Sequence, residues 1–272
     1  TPDNNIAHWN PVLYQDPLSG LLWLFYKEGL TPRCWHTMVT RSSDCGAAWS
    51  EPEELVTGDT FPRGPVKDKL ICLSDGTWLA PSSEEDDLHR WMLFLDRSED
   101  HGKSWGRTDY VPMQLEGSDR VYASISEMPA KSGGLIQPTL WEEKDHPGHV
   151  HLLARSSLGH IYRADSTDFG KTWSCAYPTD QPNNNSGIDV VRMDDGTLAL
   201  IFNPVAANWG DRFPISLMLS KDNGKTWGHR LDLETEPGEY SYPAIIADGD
   251  MLYMTYTFQR QTVQFAAVQV CR

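Results

Sequence analysis

The stretch Ser166–Ser174 reads STDFGKTWS and sets Ser166, Asp168, Gly170 and Trp173 at fixed spacing. The same arrangement returns three times. SSDCGAAWS carries Ser42, Asp44, Gly46 and Trp49; SEDHGKSWG carries Ser98, Asp100, Gly102 and Trp105; SKDNGKTWG carries Ser220, Asp222, Gly224 and Trp227. The copies lie roughly 55–70 residues apart, a period that signals a propeller or a solenoid. Each copy reads as a hairpin turn. Asp and Ser side chains bond back to the backbone, and Gly supplies a conformation that other residues resist. The Trp then packs over the turn.

Working outward, each copy closes a similar unit of short strands. Residues 10–27 form two apolar strands around a turn, and HTMVTRSSD at 36–44 runs into the first copy. KLICLSDGTWLAPSS (69–83) pairs with RWMLFLDRSED (90–100), and QPTLWEEKDHPGHVHLLARSS (137–157) with HIYRADSTD (160–168). GIDVVRMDDGTLALIFNP (187–204) pairs with ISLMLSKD (215–222). A fifth unit, residues 240–258 and 262–270, has no copy after it. The strands are rich in Val, Ile, Tyr, Phe and Trp. Turn pairs such as Asp75-Gly76 and Asp195-Gly196 separate them. Five units of three or four strands predict an all-β fold, a β-propeller.

The 272 residues suit one large β domain. The formal net charge of −15 disfavours nucleic acid and anionic membrane surfaces as partners. It leaves room for an acidic small substrate, because a local cluster of Arg and Lys can reverse the field inside a pocket. No apolar run approaches 18 residues, so no membrane insertion is expected. The five cysteines have no CxxC spacing and indicate neither a zinc site nor a disulfide framework. Asp248–Asp250 (DGD) is not a calcium-loop pattern, and no cofactor is implied. Asn184-Asn185-Ser186 matches a glycosylation sequon.

In a propeller the inner strands line a central channel, and ligands bind at one mouth. Aligning the units on their inner strands gives a polar column of Asn10, Lys69, Gln137, Asp189 and Tyr242, with Lys67 two residues before Lys69. These side chains are candidates for one convergent pocket. Arg155 and Arg212 stand before successive turn motifs and offer bidentate recognition of a carboxylate. Trp35, Trp141 and Trp209 are candidates for stacking on sugar faces.

The four Asp-box motifs and the five units resemble the sialidase superfamily, also called the BNR-repeat or neuraminidase-like group, over essentially the whole chain. Stretches such as GPVKDKLICLSDGTWLAPSSE and GEYSYPAIIADGDMLYMTYTFQR are similar to a microbial exo-α-sialidase-like subgroup. The resemblance implies a six-bladed propeller. Against the five units counted, that implies that residues 1–272, read as a single domain, lack an N-terminal blade, with a strand-swapped or five-bladed ring as the alternative; it also implies that the protein works outside the cytoplasm. It implies Arg155 and Arg212 as the second and third members of a carboxylate-binding arginine triad. It implies Tyr240, in Tyr240-Ser241, as the nucleophile; sialidases are the tyrosine exception among glycosidases. A neutral phenol avoids the repulsion that the substrate carboxylate would exert on an anion. Gln137 stands where the family's tyrosine-activating glutamate is expected, and a second family glutamate falls near Thr257. The remaining arginine and the aspartate acid/base would lie in the further blade. The expected function is a glycoside hydrolase releasing a terminal acidic sugar from a glycan. A uronate-directed lyase or glycosidase, with Tyr240, His8 or His36 as base, and a non-catalytic carbohydrate-binding propeller remain the alternatives.

Overall fold

The computed structural model describes residues 6–271. It is built from strands, with two single 3₁₀ turns at Pro32–Cys34 and Ile125–Glu127. Five antiparallel blades follow one another, the second and third joined by a short parallel pairing of Arg90 and Trp91 with Gly133 and Gly134. The first comprises β1 (His8–Gln15), β2 (Leu22–Glu28), β3 (His36–Ser42) and β4 (Glu53–Glu54) in that order. The second comprises β5 (Ile71–Cys72), β6 (Trp78–Glu85), β7 (Arg90–Ser98) and β8 (Gly106–Arg107). A small hairpin, β9 (Met113–Gln114) and β10 (Val121–Tyr122), leads to the third: β11 (Gly133–Glu142), β12 (Val150–Ser156), β13 (His160–Ser166) and β14 (Tyr177–Pro182). The fourth comprises β15 (Asp189–Arg192), β16 (Leu198–Phe202), β17 (Ile215–Ser220) and β18 (Gly228–Glu234). The fifth has three strands, β19 (Tyr240–Asp248), β20 (Met251–Phe258) and β21 (Thr262–Gln269). No helix among the described residues is long and apolar enough to cross a membrane.

The core is divided among the interfaces between blades. Val12, Phe25 and Val39 of the first blade meet Leu70, Trp78 and Ala80 of the second, with Trp23 edge-on to Trp78 at 5.3 Å. Leu79 and Leu95 meet Leu135, Leu152 and Ala164 across the next interface. Ile161 and Leu153 meet Val190 and Leu200. Ile201 and Leu217 meet Ile245 and Met254. The outer face of the fifth blade and the far face of the first lack such cover: Ile246, Val263 and Phe265, and Leu13, are exposed.

The four Asp boxes adopt one geometry. In the third, Ser166 Oγ donates to Asp168 Oδ1 at 2.8 Å and accepts from Gly170 N at 3.0 Å. Asp168 also takes Thr172 N at 2.9 Å and Thr172 Oγ1 at 2.6 Å. The residue before each Gly is left-handed: Cys45, His101, Phe169 and Asn223 have φ of 59°, 56°, 61° and 61°. The Gly follows in the same region, so two successive left-handed residues close the turn. A side chain on Gly102 would run into Trp78 and Trp23, so the box also fits against the preceding blade. Asn184, in the sequon, is buried and donates Nδ2 to the Asp211 carbonyl at 2.6 Å. That occupied amide leaves no exposed acceptor for a glycan.

Candidate active site

Three inner strands begin with the same irregularity. The antiparallel register slips between Trp9 and Val12, between Ile136 and Pro138, and between Ser241 and Ala244. The residues at the slips, Asn10, Gln137 and Tyr242, have φ of 47°, 52° and 51°, and each precedes a proline. Proline has no N–H to lose from the ladder, so a bulge is tolerated there. The bulge re-aims the side chain of the residue before it. A left-handed non-glycine residue costs about 1–3 kcal/mol and persists only where its surroundings enforce it. Lys67 and Asn185, with φ of 68° and 60°, hold the matching places in the second and fourth blades. Of these five strained residues, one per blade, Asn10, Lys67, Gln137 and Tyr242 meet at one mouth of the ring, and Asn185 reaches it through Arg155.

There they open a cleft of about 650 Å³, whose lining includes Asn10, Lys67, Gln137, Tyr242, Arg155, Glu85, Trp9, Trp35, Trp91, Trp209 and Thr257. Arg155 stands at the end of β12 and is 4% exposed. Its NH1 donates to Gln137 Oε1 at 3.0 Å and its Nε to Asn185 Oδ1 at 2.8 Å. Both partners are neutral amides. Among the described residues no carboxylate lies within ion-pair distance of this guanidinium. Burial lowers its pKa, Tyr242 and Glu85 oppose that shift, and Arg212 adds to it. Trp209, 65% exposed, lies 5.9 Å from the guanidinium carbon. Burial likewise raises Glu85 above the usual carboxylate range, with Arg155 the main opposing charge.

The predicted site residues divide into two groups. Asn10, Gln137, Arg155 and Tyr242 meet at the cleft. Lys67 lines it with its stem, but its ammonium is engaged: it donates to Asp68 Oδ1 at 2.6 Å, to the Pro243 carbonyl at 2.7 Å and to the Ile188 carbonyl. Lys69 and Asp189 lie one layer deeper and bind each other at 2.8 and 2.9 Å. Asp189 also accepts from Thr139 Oγ1 at 2.7 Å and from Ile245 N at 2.9 Å, so its carboxylate ties four blades together. The pair is a structural hub, and the polar column is corrected to Lys67 and Asn185 in those two blades. There the inner strands start late, at Ile71 and Asp189, so alignment on the apolar run overshoots the left-handed residue.

Tyr240 is 2% exposed, packs on Phe258 at 5.4 Å and accepts from Gln259 Nε2 at 3.1 Å. It lies in the core between the fourth and fifth blades, away from the cleft lining. The bulge is the reason: alternation alone would put Tyr240 and Tyr242 on one face, and the extra residue between Ser241 and Ala244 leaves Tyr240 inward and turns Tyr242 into the cleft, 45% exposed. Arg212 is held by Glu239 at 3.0 Å, and its guanidinium carbon lies 5.4 Å from the Tyr242 ring. It sits behind the tyrosine, outside the cleft lining. Trp141 is buried under His151 at 5.2 Å and is also core. Among the described residues no group of three or more His, Cys, Asp or Glu side chains could hold a metal ion.

Glu85, Asn185, Trp9 and Trp91 escape the sequence reading. The signal for Asn185 is an Asn-rich loop, since Asn tolerates the left-handed region. For the cleft strands the signal is the recurring X-Pro pair: Asn10-Pro11, Gln137-Pro138 and Tyr242-Pro243.

Blades with Asp-box turns and a polar cleft at the strand starts define a sialidase-type β-propeller. The chain belongs to the BNR repeat-like domain family, whose pattern matches residues 2–254. Among solved structures it is similar to the Hadza microbial sialidase Hz136, at 19% identity and a TM-score of 0.75, covering 97% of this chain and 53% of that one. It is similar to the NanB sialidase from Streptococcus pneumoniae at 12% identity and a TM-score of 0.73, covering 97% and 56%. The intramolecular trans-sialidase from Ruminococcus gnavus follows at 13% identity and a TM-score of 0.68, covering 97% and 78%. The chain spans about half the length of the first two. No curated protein matches it in sequence.

Proposed function

We propose that this propeller is the catalytic part of a glycoside hydrolase that releases a terminal acidic sugar, sialic acid by resemblance, from a glycan. One observation carries the reading. Arg155 is a buried cation at an open cleft whose hydrogen-bond partners are two amides. Burying an unpaired charge is costly, and the cost is recovered when a carboxylate docks on the fork. Gln137 and Asn185 fix the fork's orientation beforehand, so little side-chain freedom is lost on binding. Trp35 and Trp209 offer apolar surface to the sugar ring. Tyr242 then takes the nucleophile's role that the resemblance gives to Tyr240, because its phenol faces the cleft. Gln137 acts as an orienting residue: an amide cannot accept a proton from the phenol.

The uronate-lyase reading draws on that same amide, since a lyase needs no tyrosine-activating glutamate at this position. Incubation with sialosides and with uronic-acid oligosaccharides, followed by mass spectrometry, separates the two. Free acidic sugar formed with uptake of water supports the hydrolase. An unsaturated uronate formed without water replaces it with the lyase, and no product leaves a carbohydrate-binding propeller. We also propose that a further blade, N-terminal to β1, seats between the exposed faces bearing Leu13 and Phe265. In a longer polypeptide that includes it, amide exchange along β21 should slow; unchanged exchange refutes the placement.

A further inference from the structure

Four consecutive acidic residues, Glu84 to Asp87, end β6 and its turn. Three are engaged. Glu84 accepts from Arg107 at 3.1 Å and from the Tyr110 hydroxyl. Asp86 accepts from Arg90 Nε at 2.6 Å and from two backbone amides at 3.0 Å. Asp87 pairs with Arg33. Glu85 alone points the other way, into the cleft, as alternation along a strand requires. Among the described residues it makes no hydrogen bond and no ion pair. It sits across from Trp91 in the β6–β7 ladder, and that Trp lines the same cleft.

Resting on the hydrolase reading above, we propose that Glu85 is the general acid/base of this site. The placement fits the task. The carboxyl shares the cleft with Arg155 and Tyr242, so a sugar whose carboxylate lies on Arg155 presents its glycosidic bond within the same space. Burial raises its pKa against the opposing charges of Arg155, Arg33 and His89, the direction that a proton donor needs. In the first step the bond between the anomeric carbon and the glycosidic oxygen breaks, and both electrons go to the oxygen. That oxygen takes the Glu85 proton and leaves as an alcohol. The Tyr242 oxygen bonds to the anomeric carbon, and the phenol proton passes to solvent. In the second step water attacks that carbon and gives a proton to the Glu85 carboxylate. Tyr242 leaves and recovers its proton from solvent.

The test compares Glu85→Gln with the wild type on two glycosides of the same acidic sugar. One has a sugar alcohol as leaving group and the other a nitrophenol, which departs without a proton. The proposal expects kcat/KM on the first to fall about 10²- to 10⁴-fold, the range of general acid catalysis. On the nitrophenyl substrate the fall should stay within about tenfold, and the alkaline limb of the pH profile should disappear. Glu85→Asp, which keeps the carboxyl, should recover part of the loss, and matching melting curves will confirm folding. Equal losses on both substrates, or none, overturn the role of Glu85 while leaving the hydrolase reading in place. A wild type that releases sugar from neither substrate overturns both.

Discussion

Replacing Arg155 with Met separates a charge kept for a ligand from a charge kept for the fold. The guanidinium is 4% exposed and holds two amide oxygens, at 3.0 Å on Gln137 and 2.8 Å on Asn185. Losing those bonds costs about 0.5–1.5 kcal/mol each. Against that, removing a buried ion with no carboxylate at ion-pair distance relieves a desolvation penalty of several kcal/mol, offset in part by its lost attraction to Glu85. Met is close in length and keeps the stem's packing. The net change in stability should therefore stay within about 2 kcal/mol, with the balance toward stabilisation. For a chain of this size that is a shift of about 4–8 °C in Tm at most. Activity should move the other way. A desolvated, hydrogen-bonded carboxylate–guanidinium pair is worth about 2–5 kcal/mol when one partner is truncated. At about 1.4 kcal/mol per tenfold, kcat/KM should fall by roughly 30-fold to several thousand-fold. Calorimetric melting and steady-state kinetics on the same preparation give both numbers. A variant that unfolds by more than about 4 kcal/mol would show Arg155 to be structural. A stable variant with kcat/KM within a few-fold of wild type would remove the carboxylate from Arg155.

The two tyrosines give a paired contrast. Tyr242→Phe should abolish turnover with melting unchanged, whereas Tyr240→Phe should retain activity and lose about 1 kcal/mol with the Gln259 bond; the reverse pattern would restore Tyr240 as nucleophile. The Asp boxes predict the acid limb of stability. Hydrogen bonds from Ser104 lower Asp100 to about 2, and despite partial burial those from Thr226 lower Asp222 to about 2, against an ordinary 3.8. Carboxylates lowered in the folded state contribute stability fully above about pH 4 and lose it as pH falls toward 2. Asp222→Asn should flatten that part of the curve, measured as urea midpoint against pH; an unaltered slope would assign the acid sensitivity elsewhere.

The blades were legible because their determinants are local. Ser, Asp, Gly and Trp of each box lie within eight residues and close their own turn, so four copies announce four blade ends. The site was less legible because its determinants are not local. Whether Tyr240 or Tyr242 faces the cleft depends on a bulge of one residue, and a one-residue slip exchanges the faces of a strand. Lys69 and Asp189 look like pocket residues in sequence because a polar side chain at a strand start fits either an open mouth or a closed hub. Only the four-blade set of partners around Asp189 distinguishes them. Glu85 sits in an acidic run that reads as solvated surface, and its three neighbours are indeed held by Arg and Tyr side chains there.

Strain of about 1–3 kcal/mol at each of Asn10, Lys67, Gln137, Asn185 and Tyr242 persists only where the surroundings enforce it. Their side chains do unequal work, which shows how the strain is used. Lys67 spends its ammonium on joining the second, fourth and fifth blades. Gln137 and Asn185 aim Arg155. Asn10 and Tyr242 face the cleft. One backbone device, repeated by blade, thus serves closure at one position, orientation at two and exposure at the others. The Asp boxes at the far ends of the blades contribute no group to the cleft and are free to stay alike. The left-handed residues differ from blade to blade because each meets a different partner, and in that asymmetry a repeating fold gains a single candidate site.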